Sequence, residues 1–301
     1  MLKKIDGYSW AILAAFGFSM KAIFVKLAYQ TAPVSATTLL AMRMAIALPF
    51  FAWMARLGAQ QKPVPLTASR LGQVVALGCL GYYLSSLFDF EGLRHITAGL
   101  ERLILYLYPT MVLLIQAVLM RKPPSNRAWQ AIGLCYLGLA IAFGHDLQLG
   151  SQESVWLGGA WVFASAVTYA IYYVGTGKVV GVLGPMQLTG LSGTASCLMV
   201  LAHWAITDAN TQPAALPIQI WGYATAMAMF STVLPIWALA QAIRRMGTSD
   251  AAAIGALGPA LTILFAWWWL GESLSWWQMA GMGLIIIGVI RLKPAKAPAD
   301  K

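Results

Sequence analysis

Residues 93–114 read LRHITAGLERLILYLYPTMVLL, an apolar run with an arginine near its start and a proline inside it. Residues 242–289 read AIRRMGTSDAAAIGALGPALTILFAWWWLGESLSWWQMAGMGLIIIGV. In both quotations an arginine is followed fifteen residues later by a proline; the pairs are Arg94 with Pro109 and Arg244 with Pro259, at an offset of 150. A repeated spacing over such a distance indicates an internal duplication.

A second echo supports the duplication. The letters WQAIG at residues 129–133 return as WQMAG at residues 277–281. We therefore predict two related domains, residues 1–146 and residues 153–293.

The composition predicts an all-α membrane protein. Of the 301 residues, 59% are hydrophobic and 10% charged, against roughly 45–50% and 25% in soluble domains. A membrane-spanning helix needs about 20 apolar residues. Ten apolar runs are bounded by proline, glycine and charges, and we predict ten transmembrane helices at about 8–29, 34–56, 71–92, 98–120, 128–145, 155–176, 184–207, 217–243, 248–270 and 274–292. The lipid bilayer is then the main partner, and no room is left for a soluble domain.

The basic residues predict the orientation. Fifteen of the twenty lysines and arginines fall between runs on one side, Arg94 stands alone on the other, and four lie within runs. By the positive-inside rule both termini are cytoplasmic, and we expect the cell inner membrane. This topology explains the net charge of +10 better than nucleic-acid binding does. With five runs in each half, the second copy enters the membrane inverted, as in secondary transporters.

The two quoted stretches resemble the EamA-like family of the drug/metabolite transporter superfamily. GFSMKAIFVKLAY at residues 17–29 and the tripeptide at residues 41–43 are similar to the family's first two helices. The resemblance covers nearly the whole chain. It implies ten helices in two inverted five-helix repeats, and export of a small polar or amphipathic metabolite by alternating access. It implies no single substrate, because members handle amino acids, their derivatives and drugs.

Ionisable residues inside the apolar runs are the first candidates for a substrate or coupling site: Lys21, Arg43, Asp89, Glu101 and Arg102. Facing lipid, they would together cost on the order of 10 to 20 kcal/mol, so they must face the bundle interior. Two interpretations stay open. The charges are structural ion pairs, or the excess of basic groups awaits an anionic group of the substrate. A carboxylate that changes protonation between states would couple transport to protons, and Asp89 and Glu101 are the candidates.

Aromatic and helix-breaking residues complete the predicted site. Four tyrosines lie deep in the runs, where a phenol hydroxyl needs a partner and could line a cavity; they are Tyr83, Tyr106, Tyr169 and Tyr173. Pro109 and Pro259 occupy matched positions, and paired helix breaks point to a binding site between repeats. The alternative is that these prolines only bend helices to fit the bundle.

Other functions are weighed against transport. His203-x4-Asp208 matches an acyltransferase pattern in which the aspartate orients a general-base histidine, but no other enzyme signature supports it. A passive channel or a receptor would share much of the description. His95, His145 and His203 lie far apart, so we predict no metal and no cofactor. The chain is expected to be no enzyme, and to act as a monomer or a homodimer.

Overall fold

A computed structural model describes residues 6–61, 64–149, 151–208, 210–246, 254–255, 257–273 and 275–292. The regular structure in these residues is helical. The long helices are α1 Gly7–Thr31, α2 Ala36–Gln61, α3 Ala68–Gly92, α4 Ala98–Met120, α5 Asn126–Leu149, α6 Gln152–Leu183, α7 Pro185–Thr207, α8 from Ile218–Ala228 through Met229–Val233 to Leu234–Met246, α9 Gly258–Leu270 and α10 Trp276–Leu292.

The apolar runs of the sequence correspond in order to these helices. Eight of them, α1 to α8, are long and apolar enough to cross a membrane, and α9 and α10 are shorter apolar helices. Much of the first part of the run predicted at 248–270 lies outside the described residues. The chain is therefore a multi-pass helical membrane protein, whereas the count of ten crossings stays a prediction.

Helix α4 is interrupted within the run at 98–120, close to the proline that is predicted to break a helix there. It is interrupted by a turn at residues 106–107, and a new helical segment begins at Tyr108. Pro109 lies in the first turn of that segment, where its missing N–H is not needed. Pro259 holds the same place at the start of α9. The paired prolines thus begin helical segments rather than bend continuous ones.

Two π-helical segments interrupt α3 and α8 at matching places. They span Cys79–Leu84 and Met229–Val233, and their first residues are 150 apart, like the arginines and prolines of the sequence repeat. A π-helical turn widens a helix locally and often marks a functional site. In α3 the widened turn places Gly81 directly against the ring of Tyr172 on α6.

The main helix pairs are preserved when each helix is exchanged with the one five places along the chain. Helix α2 packs on α7, α4 on α9 and α5 on α10, and each of these pairs is its own counterpart. The pair α1–α8 exchanges into α6–α3, and both packings occur; the same holds for α1–α9 and α6–α4. This pattern is what two related halves packed about a two-fold axis would produce.

The odd-numbered connections meet at one end of the bundle. Lys26 near the end of α1 donates from Nζ to the Ile96 carbonyl, 2.9 Å away in the α3–α4 turn. Ser35 before α2 donates to Asp208 Oδ2 after α7, at 2.5 Å. Glu272 between α9 and α10 accepts hydrogen bonds from the first backbone N–H groups of α4. We call this end the odd-connection end.

The crossing of α2 and α7 depends on missing side chains, and we predict that Gly190→Ala destabilises the protein. A Cβ at Gly190 would lie 2.6 Å from Ala55 Cα, a backbone atom that cannot rotate away. Overpacking of this kind costs about 1–3 kcal/mol, so thermal melting of the purified protein should show a lower midpoint. Gly222→Ala is the matched control, because a Cβ there meets nothing within 4 Å. Equal midpoints for the two variants would contradict the prediction.

Candidate functional site

A lysine shared by two buried carboxylates lies between α1, α3 and α4. Lys21 Nζ is 2.6 Å from Asp89 Oδ2 and 3.3 Å from Glu101 Oε1. The side chains of Asp89 and Glu101 are 2% and 0% exposed. We call these three residues the Lys21 cluster. Removing one partner of a buried ion pair costs several kcal/mol, so the three charges depend on each other.

Arg102 extends the cluster toward α9. Its Nη2 donates to the Phe18 carbonyl at 2.6 Å, and its Nε donates to Thr262 Oγ1 at 3.0 Å. Thr262 lies one turn beyond Gly258, the residue at which α9 begins. Arg102 therefore ties α1 and the beginning of α9 to α4, and the helix break at Pro259 lies next to the charged groups. One turn further along α4, the backbone N–H of Tyr106 donates to the Arg102 carbonyl at 3.0 Å.

Arg43 is the most deeply buried of the basic residues within the apolar runs. The residue is 6% exposed. Its Nε donates to Thr232 Oγ1 at 3.1 Å, in the π-helical segment of α8, and its guanidinium carbon lies 5.6 Å from the centroid of the Phe90 ring. Its Nη1 is buried without a hydrogen-bond partner. Among the described residues Arg43 forms no ion pair within 4.0 Å, so its charge is stabilised by a hydroxyl and an aromatic face.

The five predicted charged residues carry a net positive charge when all are ionised. The set contains three cations, those of Lys21, Arg43 and Arg102, and two carboxylates, those of Asp89 and Glu101, both of which contact Lys21. A buried charge without a counter-ion is expensive. An added anionic group would balance the charge of these five residues, whereas protonation of a carboxylate would raise their net positive charge further.

The other predicted tyrosines lie away from the Lys21 cluster. The hydroxyl of Tyr83 is 3.1 Å from His203 Nδ1. Tyr169 and Tyr173 contact Tyr108, with ring centroids 5.2 and 5.7 Å apart. Pro109 follows Tyr108 in the chain and therefore lies next to these three tyrosines. The structure thus divides the predicted site residues into one charged region and two separate tyrosine groups.

Three polar residues at the odd-connection end were not predicted. Asp146 accepts from Thr97 Oγ1 and from Gln278 Nε2, both at 2.7 Å, and is 3% exposed. The Glu272 carboxylate accepts from the backbone N–H groups at the beginning of α4, where the helix dipole favours an anion. Burial raises the pKa of Glu272, while these N–H donors and the charge of Lys26 lower it. Polar residues near the ends of apolar runs cannot be distinguished from loop residues in the sequence, so Asp146 and Glu272 gave no signal. Gln278 was indicated by the repeated Trp-Gln pair alone.

The acyltransferase pattern is divided between different partners. His203 Nδ1 faces the Tyr83 hydroxyl. Asp208 Oδ2 instead accepts from the hydroxyls of Ser35 at 2.5 Å and Thr38 at 3.0 Å. Asp208 therefore orients the hydroxyls of Ser35 and Thr38. It does not orient His203 through Nδ1, which is the contact that the acyltransferase pattern would use.

Comparisons with known proteins agree with one another. The sequence model of the EamA-like transporter family matches residues 5–144 and 156–292. The chain is 30% identical to the uncharacterized transporter YcbK of Bacillus subtilis over 305 residues, which cover 98% of this chain and 95% of that protein. An uncharacterized transporter of Archaeoglobus fulgidus is 23% identical over 93% of this chain and 96% of its own length. A crystal structure 18% identical to the chain covers 95% of both with a TM-score of 0.63, a likeness in fold.

Proposed function

The chain belongs to the EamA-like transporter family of the drug/metabolite transporter superfamily, and from this premise we propose that it is a secondary exporter working by alternating access. Membership makes it a multi-pass membrane transporter of a small molecule. The proposed cargo is a small polar or amphipathic metabolite: an amino acid, an amino-acid derivative or a drug-like compound.

The proposed architecture is two inverted five-helix repeats, residues 1–146 and residues 153–293, giving ten crossings. The exchange pattern of helix packing, the matched π-helical segments and the matched prolines support it. The distribution of lysine and arginine supports a cell inner membrane location with cytoplasmic termini. The odd-connection end would then face outward.

The observation that supports the proposal is the excess of positive charge among the five predicted charged residues. Two of the three cations in this set, Arg43 and Arg102, are not within ion-pair distance of a described carboxylate. Arg43 contacts the widened turn of α8, and Arg102 contacts the beginning of α9, so both touch places where helices are interrupted. An anionic group of the cargo would balance this charge at the interface of the two halves, where transporters of inverted-repeat architecture bind substrates.

We propose that Asp89 and Glu101 couple transport to protons. They share one lysine, so the cluster can hold one carboxylate ionised while the other takes a proton. An inward proton movement could then drive outward movement of the cargo. This arrangement needs no further ion and uses only groups within the described bundle.

The test is an export screen, and we expect Arg43→Ala to abolish export of the true cargo. Cells that overproduce the protein are challenged with amino acids, amino-acid analogues and drugs, and growth and the contents of the medium are measured. Arg94→Ala is the matched control, because Arg94 is exposed and its one ion pair within the described residues is with Glu91, three residues earlier. Full export by the Arg43 variant at equal membrane abundance would overturn the proposal that buried basic groups bind the cargo.

A further inference from the structure

A cavity opens at the odd-connection end between α2, α3, α6 and α7. Its volume is about 340 Å³, and its walls include Thr37, Phe88, Glu91, Trp161 and Asp208. This volume lies at the lower end of the range of small-molecule pockets. The cavity shares no residue with the Lys21 cluster, and no role assigned above uses it.

The cavity has an anion whose charge is not balanced. Asp208 Oδ2 accepts from the hydroxyls of Ser35 and Thr38, which hold the carboxylate in place. Among the described residues Oδ1 has no hydrogen-bond partner, and no basic group lies within 4.0 Å of the carboxylate. The second acid, Glu91, already pairs with Arg94 at 3.2 Å. The lining therefore retains about one negative charge, which matches a monovalent cation.

The rest of the lining favours an organic cation over a metal ion. The rings of Phe88 and Trp161 lie 5.4 Å apart at 36°, and aromatic faces attract ammonium groups while offering no ligand to a hard metal. Thr37, which is 9% exposed, also lines this space.

We propose that this cavity binds an organic ammonium ion. Asp208 is the counter-ion, and Phe88 and Trp161 pack on the alkyl or aromatic part of the molecule. The ammonium group could belong to a free amine or to a lipid headgroup, since both carry the same chemistry to this end of the bundle. The proposal concerns binding and does not rest on transport of the bound molecule.

The test is choline binding by the purified full-length protein in nanodiscs of phosphatidylglycerol, a lipid without an ammonium group. Calorimetry and thermal melting are compared for choline and for 3,3-dimethyl-1-butanol, its uncharged isostere. We expect choline to bind and the alcohol to bind at least about tenfold more weakly. Equal binding of the two compounds, or no choline binding, would overturn the proposal.

Variants locate the site. Asp208→Asn keeps an oxygen acceptor for Ser35 and Thr38 but removes the charge, and we expect about a tenfold or greater loss of choline affinity. Trp161→Leu leaves the hydrogen bonds of Asp208 with Ser35 and Thr38 intact and should also weaken choline binding. It serves as the test if the Asp208 variant does not fold. Glu153→Gln, an exposed acid at the same end, is the control. Unchanged choline affinity in a folded Asp208 or Trp161 variant would contradict the site.

The lipid composition separates the two sources of the ammonium group. In nanodiscs of phosphatidylcholine a headgroup that occupies the cavity competes, and the apparent affinity for choline falls. An unchanged affinity assigns the cavity to free amines. In both cases the Asp208 variant must remove the choline signal, or the proposal fails.

Discussion

Lys21→Met is expected to abolish transport and to cause the largest loss of stability of any single exchange among the buried charges. The variant leaves Asp89 and Glu101 buried, close together and without the ammonium that both contact. Breaking a buried ion pair by removing one partner costs about 3–5 kcal/mol. The measurements are the thermal melting midpoint of the purified protein and efflux of the cargo identified by the export screen.

A triple variant separates stability from function. Lys21→Met combined with Asp89→Asn and Glu101→Gln removes all three charges of the Lys21 cluster together, so no buried carboxylate is left without its lysine. We expect its melting midpoint to recover most of the loss, because neutral replacement of a whole buried ion group is often tolerated. Efflux should stay absent. A single Lys21 variant that transports normally, or a triple variant no more stable than the single one, would contradict the role given to Lys21.

Glu101→Gln is expected to uncouple transport from the pH gradient. The amide has the shape of the protonated carboxyl and cannot release a proton, while Asp89 keeps its ion pair with Lys21 at 2.6 Å, so the fold should be preserved. In proteoliposomes, transport driven by a pH gradient should fall at least about tenfold, whereas exchange of labelled for unlabelled cargo should continue.

The matched control for this experiment is Glu153→Gln, which neutralises an exposed acid outside the cluster. Asp89→Asn tests the second carboxylate in the same assay. If gradient-driven transport is unchanged in both the Glu101 and the Asp89 variants, proton coupling through this pair is wrong, and transport without proton coupling becomes the better explanation.

Hydropathy predicted the helices well but not where they are interrupted. Apolar runs identify segments that need a membrane, and all ten runs have a helical counterpart in the described residues. The run predicted at 155–176 belongs to a helix that extends over Gln152–Leu183, because a helix continues past the point where its apolar character ends. Pro109 indicated the break in α4, whereas the π-helical segments depend on packing between helices, which hydropathy does not contain.

The charged site was easier to predict than the aromatic one. Burial of Asp89 and Glu101 in lipid would be so costly that a basic partner had to be near, and Lys21 is that partner. A tyrosine can face lipid or protein on most sides of a helix without the free-energy cost of a buried charge, so its neighbours are hard to predict. Tyr83 and Tyr169 consequently face different neighbours, and sequence spacing could not tell which.

The position of Glu272 has a consequence for which substitutions such a sequence can accept during evolution. Its carboxylate binds the backbone N–H groups of Ala98 and Gly99. The contact therefore requires an acidic side chain at residue 272 but places almost no requirement on the side chains at residues 98 and 99. At residues 98 and 99 this contact excludes only proline, the residue without an N–H. Selection on this contact therefore acts on Glu272, in the α9–α10 connection of the second half, although the helix it stabilises, α4, lies in the first half. If the two halves were encoded by separate genes, α4 and the carboxylate at its N-terminus would be on different chains.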